Sequence, residues 1–291
     1  IWIKREDLLP LAFGGNKLRN LEFLVGAALA AGADCLVTSG RRWSNHARLT
    51  AAAGAKAGLP VHLVLSGPRT EPSNPGVGLA ELLGATVQQA RTSDRVERET
   101  LTHRVVEELR SSGRRPYLIG VGGSGVIGAV GQVLGGIELA EGAATAGLKV
   151  DDVVLPTATG GTQAGLLVGL RTAGVATRVL GIAVAHPSDE LRPAISATIG
   201  ELGKLDGLAN VDAGEIELQD DQLGPGYGRR TVAADAAAGL LARTEGILVD
   251  PIYTAKALAG LIDLCHAGLL DGRRVVFWHA GGTPGLFEPL D

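Results

Sequence analysis

Short apolar runs alternate with longer stretches of helical periodicity along the whole chain. The strands predicted from the short runs are residues 1–3, 35–38, 61–65, 117–121, 153–155, 179–184 and 275–278. The helices predicted from the longer stretches are residues 16–31, 44–57, 95–110, 126–141, 162–173, 233–244 and 254–264. This alternation indicates an α/β fold with mostly parallel sheets, and strands that are apolar throughout fit open sheets flanked by helices.

Length and composition leave room for two domains. The chain has 291 residues, 45% of them hydrophobic, and a mean hydropathy of +0.20, which is enough for one large or two modest cores. Glycine is abundant at 43 residues but follows no fixed period, so collagen-like and repeat architectures are excluded. No linker is apparent, and the Pro-, Gly- and Ser-rich segment 69–78 is predicted to be a loop.

Charge and cysteine content narrow the function classes. The net charge is −4, the pI is about 5.9 and aromatics make up 3% of the chain, so we expect no nucleic-acid partner. The apolar runs fall short of the roughly 18–20 residues of a membrane helix, and no signal peptide is apparent. Cys35 and Cys265 lack metal-ligand spacing and fit free thiols in a cytoplasmic protein without a metal site. The chain contains no Met and begins inside a strand-like run, so we expect an N-terminal segment to precede it.

The segment FGGNK at residues 13–17 places a lysine just after two glycines and at the start of a predicted helix. The glycines allow a tight or left-handed backbone. The positive end of the helix dipole should disfavour the protonated form of Lys17, and a neutral amine is what Schiff-base chemistry requires. The alternative is an ordinary solvated lysine, which is the commoner fate of this residue type.

The segment TATGGT at residues 157–162 lies between a predicted strand and a predicted helix. Two glycines let backbone N–H groups converge, while Thr159 and Thr162 add hydroxyl groups at the positive end of a helix. This combination suits a phosphate, although the segment is neither a Walker loop nor a dinucleotide motif. An ordinary strand-to-helix turn with capping threonines stays open as the alternative.

Four further segments follow predicted strands or open predicted helices. They are SNH at 44–46, GPGYG at 224–228, DPIYT at 250–254 and HAGGTP at 279–284. In open α/β sheets ligands bind at the carboxyl ends of strands, which favours a functional interpretation. Helix capping by Ser44, Asn45 or Thr254, a plain loop tyrosine at Tyr227 and a tight terminal turn are the alternatives.

Taken in order, these segments resemble the D-cysteine desulfhydrase and 1-aminocyclopropane-1-carboxylate (ACC) deaminase family of pyridoxal-phosphate (PLP) enzymes. The resemblance runs from residue 1 to about residue 286. It is carried by IKREDLLPLAFGGNKLR (3–19), SNHAR (44–48), ELLGATV (81–87), GVGGS (120–124), TGGTQAG (159–165), GPGYG (224–228), LARTEGILVDPIYTAKALAGLID (241–263) and HAGGTPGLF (279–287).

The resemblance implies PLP as cofactor and a tryptophan-synthase-β-like fold with PLP between two domains. A small domain would span residues 30–125, and residues 1–29 with 126–291 would form the large one. Lys17 would hold PLP as a Schiff base and then act as the base at Cα. Asn45 would bind the ring hydroxyl, and Thr254 would face the pyridine nitrogen. The phosphate would be bound by Thr159, Gly160, Gly161 and Thr162.

The implied substrate side of the pocket is formed by Trp43, Ser44, Asn45, His46, Tyr227 and Tyr253. Lys17, Ser44, Tyr227 and Tyr253 would take part in catalysis. The resemblance also implies a homodimer that acts on a small amino acid.

Thr254 favours the desulfhydrase branch, because ACC deaminases resemble this chain but carry a glutamate there. A hydroxyl leaves the ring nitrogen neutral, and this weaker electron sink is enough for β-elimination. We therefore expect α,β-elimination from D-cysteine to pyruvate, sulfide and ammonia. L-cysteate sulfo-lyase and ACC deaminase are the enzymatic alternatives. A PLP-binding protein without turnover, or a protein that binds another phosphorylated ligand, is the non-enzymatic alternative.

Several positions depart from the pattern of the family. Relatives carry small residues and a Gln where this chain has Arg41, Arg42 and Trp43, and they often have a Lys at the position of Asn20. Ala280 and Gly125 differ as well. These departures concern the substrate rather than the cofactor, since a bulky Trp beside two arginines could narrow the pocket or favour an acidic substituent.

Overall fold

A computed structural model describes residues 1–67, 75–92 and 94–288. The chain divides into two compact units, each described below by itself. The large unit comprises Ile1–Leu9, Phe13–Asn16 and Ala129–Asp291, and the small unit comprises Pro10–Ala12 and Lys17–Gly128.

Strands and helices alternate through both units. The strands are β1 (Trp2–Arg5), β2 (Cys35–Arg41), β3 (Val61–Ser66), β4 (Thr86–Ala90), β5 (Pro116–Leu118), β6 (Asp152–Thr157), β7 (Arg178–Ala183), β8 (Glu217–Gln219) and β9 (Val275–His279). The helices are α1 (Lys17–Ala30), α2 (Asn45–Ala57), α3 (Pro75–Leu82), α4 (Arg95–Ser111), α5 (Val126–Thr145), α6 (Gly161–Thr172), α7 (Ser188–Leu202), α8 (Val232–Glu245) and α9 (Thr254–His266).

Each unit is built on a parallel sheet. The large unit orders its strands β1-β9-β6-β7-β8, and the small unit orders its strands β4-β3-β2-β5. All pairings between the described strands are parallel. The predicted α/β class with two mostly parallel sheets is therefore confirmed. Because parallel strands end at the same edge of a sheet, the loops after β6 and β9 emerge side by side.

Aliphatic side chains fill both cores. In the large unit they come from the sheet and from α8 and α9, and include Val154, Ile182, Leu241, Leu261 and Val275. In the small unit they come from α1, α2 and the sheet, and include Leu21, Leu36, Leu49, Leu63 and Leu65. Helix α1 thus shares its core with the small unit, whereas the sequence prediction placed residues 17–29 in the large domain.

Helix α5 is long and apolar enough to cross a membrane by length and composition. This differs from the expectation that no apolar stretch of the chain reaches that length. Core helices meet the same criterion, and α5 packs closely along α6. A Cβ atom on Gly136 would lie 2.8 Å from the carbonyl oxygen of Leu166, and one on Gly169 would overlap the carbonyl oxygen of Val133. Glycine at these positions lets the two helix backbones touch.

Four of the described elements, α3, α7, β4 and β8, were not predicted from the sequence pattern. Segment 69–78 was predicted to be a loop, but α3 begins at Pro75, a residue that is favourable in the first helical turn. Residues 69–74 lie outside the described part of the chain. Helix α7 was missed because Pro193 interrupts its pattern. The edge strands β4 and β8 are short and half-exposed, so they lack an apolar signature.

Candidate active site

The segment before Lys17 is a strained turn held by backbone hydrogen bonds. Phe13 has φ 67° and Gly14 has φ 63°, both in the left-handed region, which is uncommon for a bulky residue and often marks a functional site. The N–H of Gly15 donates to Glu6 O at 2.9 Å, and that of Asn16 donates to Ala280 O at 2.9 Å. These bonds therefore hold the turn at residues 13–16, which directly precedes Lys17 in the chain.

The amine of Lys17 has a lowered pKa, although part of the Lys17 side chain reaches solvent. Burial lowers the pKa of the Lys17 ammonium from 10.5 to about 8. The helix dipole was the expected cause of a lowered pKa, whereas the cause in the structure is loss of solvation by burial. A tenth or so of the amine is neutral at pH 7 in this range, far more than for an ordinary lysine.

Ser44, Asn45 and His46 open α2 at the carboxyl end of β2. The hydroxyl of Ser44 accepts a hydrogen bond from the N–H of Ala47 at 3.2 Å. Ser44 therefore caps the helix, which was the alternative interpretation of this residue. The side chain of Asn45 makes no hydrogen bond within the described residues and remains available to a ligand. Capping and ligand binding are compatible at Ser44, because its hydroxyl proton is not used by the cap.

His46 is a buried neutral imidazole with a defined tautomer. The hydroxyl of Thr38 donates to Ile119 O at 2.8 Å, so the same oxygen accepts from Nε2–H of His46 at 3.0 Å. Nδ1 is thus an acceptor, and it has no partner among the described residues. Burial, with a smaller effect of the Lys17 charge, lowers the pKa of His46 to about 3. His46 therefore offers a lone pair, not a proton, near Lys17.

The loop after β6 has the geometry of an anion cradle. Gly160 has φ 83° and precedes the first turn of α6, whose N–H groups have no partner inside the helix. A Cβ atom on Gly160 would overlap Ile195, so only glycine fits. Thr162 accepts a hydrogen bond from Nδ2 of Asn16 at 2.9 Å, which ties the cradle to the residue immediately before Lys17 in the chain.

The start of α9 is organised by Asp250, the first residue of segment 250–254, for which the sequence predicted no role of its own. Its carboxylate accepts from the N–H groups of Ile252, Tyr253 and Thr254 at 3.0, 2.8 and 3.0 Å. The alternative interpretation of Thr254 as the cap of this helix is therefore wrong, because Thr254 is the first helical residue and the carboxylate of Asp250 accepts from the N–H groups instead. The available signal was an Asp three residues before the N-cap position, because Asp side chains commonly accept hydrogen bonds from nearby backbone N–H groups.

Thr254 lies fully buried beside the loop that follows β9. Its hydroxyl donates to Gly281 O at 2.9 Å. Gly281 has φ 96°, and a Cβ atom there would lie 2.5 Å from Cα of Gly15. The glycines of segments 13–17 and 279–284 are therefore needed where two backbones pass each other, a reason that the sequence alone did not give.

Tyr227 and Tyr253 form a pair. Their hydroxyl groups share a hydrogen bond, and their ring centroids lie 6.0 Å apart at an interplanar angle of 61°. Tyr227 is 43% exposed, so it is not a core residue, in agreement with its position among glycines. The pair offers a hydroxyl proton at the surface of the large unit.

The small unit thus carries Lys17 and the SNH segment, with Trp43 just before it. The indole Nε1 of Trp43 is buried without a partner among the described residues. The large unit carries the cradle at 159–162, the tyrosine pair and Thr254, all in loops or at the beginnings of helices. Every residue predicted for the site therefore lies in a loop or in the first turn of a helix.

Comparison with known proteins decides the family. The model of the pyridoxal-phosphate-dependent enzyme family matches residues 1–281. The chain belongs to this family. It is 40% identical to a D-cysteine desulfhydrase of Yersinia enterocolitica, over 99% of this chain and 88% of that protein. It is 37% identical to a protein of Pyrococcus furiosus named as a candidate 1-aminocyclopropane-1-carboxylate deaminase, over 99% and 86% of the two chains.

A solved structure described as an ACC deaminase homologue has the same fold. It aligns with a TM-score of 0.89 and 36% identity, covering 98% of this chain and 85% of that one. The chain is accordingly a PLP-dependent lyase of the D-cysteine desulfhydrase and ACC deaminase type. The predicted cofactor is confirmed.

The residues present fit PLP. The cradle at 160–162 is suited to its phosphate, and a lysine with a lowered pKa is suited to its aldehyde. When bound, PLP supplies the electron sink that makes removal of a Cα proton feasible.

Proposed function

We propose that the chain catalyses α,β-elimination from D-cysteine, using one water to give pyruvate, hydrogen sulfide and ammonia. The observation that carries this choice is the hydroxyl of Thr254 at the start of α9. Its partner is the carbonyl of Gly281, and the nearby carboxylate of Asp250 is already occupied by backbone N–H groups. No carboxylate at this position is then available to keep the ring nitrogen protonated, which favours departure of a good leaving group over opening of a cyclopropane.

Lys17 is the group that removes the Cα proton. Its pKa of about 8 leaves a usable neutral fraction near neutral pH, and a general base works best when its pKa lies close to the operating pH. His46 stays neutral beside it and cannot deliver a competing proton.

Ser44 and Asn45 bind the substrate carboxylate and the ring hydroxyl, respectively, at the positive end of α2. The Tyr227 and Tyr253 hydroxyl pair donates a proton to the leaving sulfur. Phosphate binding by Thr159, Gly160, Gly161 and Thr162 anchors the cofactor through the first turn of α6.

The name of the solved structure and that of the Pyrococcus furiosus relative favour ACC deaminase as the second candidate. L-cysteate is less favoured, because the Arg42 side chain packs over Gly67: a Cβ atom there would lie 2.5 Å from Nε of Arg42. We also propose, from the family resemblance, that the enzyme is a cytoplasmic homodimer, which sedimentation and cell fractionation would test.

The deciding experiment measures products from the PLP-loaded enzyme with D-cysteine, L-cysteine, L-cysteate and ACC. Pyruvate and sulfide from D-cysteine would support the proposal. Sulfite from L-cysteate or 2-oxobutyrate from ACC at a higher kcat/KM would replace it. The variant K17A is the control and should lose both turnover and the visible absorption of the lysine-bound cofactor. Cofactor absorption without any turnover would favour a binding role.

A further inference from the structure

Lys256 is a buried lysine that the proposed mechanism does not use. It lies on α9, three residues after Tyr253, and its side chain has no solvent exposure. Its Nζ donates to Leu223 O at 2.7 Å and to Gly226 O at 3.5 Å. No carboxylate pairs with it in the part of the chain that the structure describes. Burial lowers the pKa of this ammonium.

The two carbonyl groups belong to the loop that carries Tyr227. Within this loop Gly224, Gly226 and Gly228 have φ of 62°, 127° and 79°, and the loop itself contains no helix or strand. Its own backbone hydrogen bonds are few: Leu223 N–H donates to Asp220 O at 3.0 Å, and Arg229 N–H donates to Gly226 O at 3.3 Å. Lys256 therefore joins the two ends of the turn that immediately precedes Tyr227.

A second contact attaches the same loop to the same face of α9. Nε2 of Gln222 donates to Oδ2 of Asp263 at 2.6 Å. Asp263 is seven residues after Lys256, which is two helical turns, and Tyr253 is one turn before Lys256. The loop is thus held at Asp263, at Lys256 and by the Tyr253 hydroxyl. Of these, Lys256 contacts the residue directly before Tyr227.

Packing alone does not require an ammonium here. A methionine fills a similar volume without the cost of burying a charge. What the ammonium adds is several donors on one atom, which can hold two carbonyl groups at once. A flexible glycine loop gains a defined position from such a contact, and the position that it defines is that of the Tyr227 hydroxyl against the Tyr253 hydroxyl.

We propose that Lys256 is a positioning residue that sets the Tyr227 hydroxyl for the reaction by holding Leu223 O and Gly226 O. The inference rests on the proposed function in one respect, because it takes the tyrosine pair as part of the substrate site. The positioning itself is a property of the large unit and can be measured without turnover.

The first arm of the test is spectroscopic. The chain has three tyrosines, so PLP-loaded enzyme labelled with ¹³C at tyrosine Cζ gives three resonances, which Y227F and Y253F assign. K256M should move the Tyr227 and Tyr253 resonances and leave that of Tyr117 in place. The matched control Q222L, which removes the other contact of the loop, should move them much less. Unchanged Tyr227 and Tyr253 resonances in K256M would overturn the proposal.

The second arm is kinetic. K256M should lower kcat/KM by about tenfold or more, because small misplacements of catalytic groups are costly, while the visible absorption of the cofactor stays as in the wild type. In a Y227F background the same substitution should change kcat/KM by less than about twofold, since positions that act as one unit are not additive. An equal effect of K256M on kcat/KM in the wild-type and Y227F backgrounds would show that Lys256 does not act through Tyr227.

Two safeguards keep the outcomes distinct. If K256M does not fold, K256Q removes the charge and has a shorter reach, so that it cannot hold Leu223 O and Gly226 O together. It should move the Tyr227 and Tyr253 resonances and leave that of Tyr117 in place; no movement would refute the proposal. If wild-type enzyme turns over none of the amino acids, the proposed function fails, while the resonances of K256M still decide the positioning role.

Discussion

Replacing Lys17 with methionine should stabilise the cofactor-free protein at neutral pH. The fall of the Lys17 pKa from 10.5 to about 8 means that the folded chain disfavours the ammonium. At about 1.36 kcal/mol per pH unit this corresponds to about 3.4 kcal/mol. Because part of Lys17 reaches solvent, screening reduces the effect, and we expect a gain of about 2 kcal/mol in the free energy of unfolding.

The pH dependence separates this charge effect from better packing of the methionine. Below pH 8 Lys17 is protonated in both the folded and the unfolded chain, so the full penalty is present. Between pH 8 and 10.5 the unfolded chain binds more protons, so the wild type gains stability as pH rises. Above pH 10.5 the penalty is absent. K17M should lack this rise, and its advantage should shrink across the same interval.

The assay is urea unfolding of protein from which PLP has been displaced, at pH values from 7 to 11. The exposed lysine variant K56M serves as the control, because Lys56 is solvated and should follow the wild-type curve. Parallel pH curves for wild type and K17M would refute the reasoning, since they would mean that the Lys17 amine is as well solvated in the folded chain as in the unfolded one.

Acid should destabilise the wild type through His46. The pKa of His46 is about 3 in the folded chain and 6.5 in the unfolded chain, so unfolding takes up a proton between these pH values. The free energy of unfolding therefore decreases, as the pH falls, by up to about 1.4 kcal/mol per pH unit. In urea unfolding, H46N should show a shallower dependence of this free energy on pH. G169A should lose about 1–3 kcal/mol in thermal unfolding, because the new methyl group overlaps Val133, whereas G142A on the open face of α5 should be neutral or slightly stabilising. D250A should lose about 1–2 kcal/mol, because three N–H groups at the start of α9 lose their acceptor; a circular dichroism melt equal to that of the wild type would contradict this.

Local patterns were sufficient for most of the described elements and for proposing where the site lies along the chain. Buried parallel strands read as continuous apolar runs, and ligand-binding loops of α/β sheets follow them, so segments 13–17 and 157–162 could be identified without coordinates. Elements were not predicted where the periodic pattern that identifies a helix or a strand was interrupted. Pro193 hid α7, and the exposure of β4 removed its apolar pattern.

The sequence by itself determined the fold class and the family, because these depend on periodicity and on ordered motifs. Tertiary structure decided the contacts between residues far apart in the chain. It assigned the cap of α9 to Asp250 and the lowered pKa of Lys17 to burial, and it placed Lys256 under the Tyr227 loop. These features depend on which groups lose water and which atoms meet across the fold, and a linear pattern does not record either.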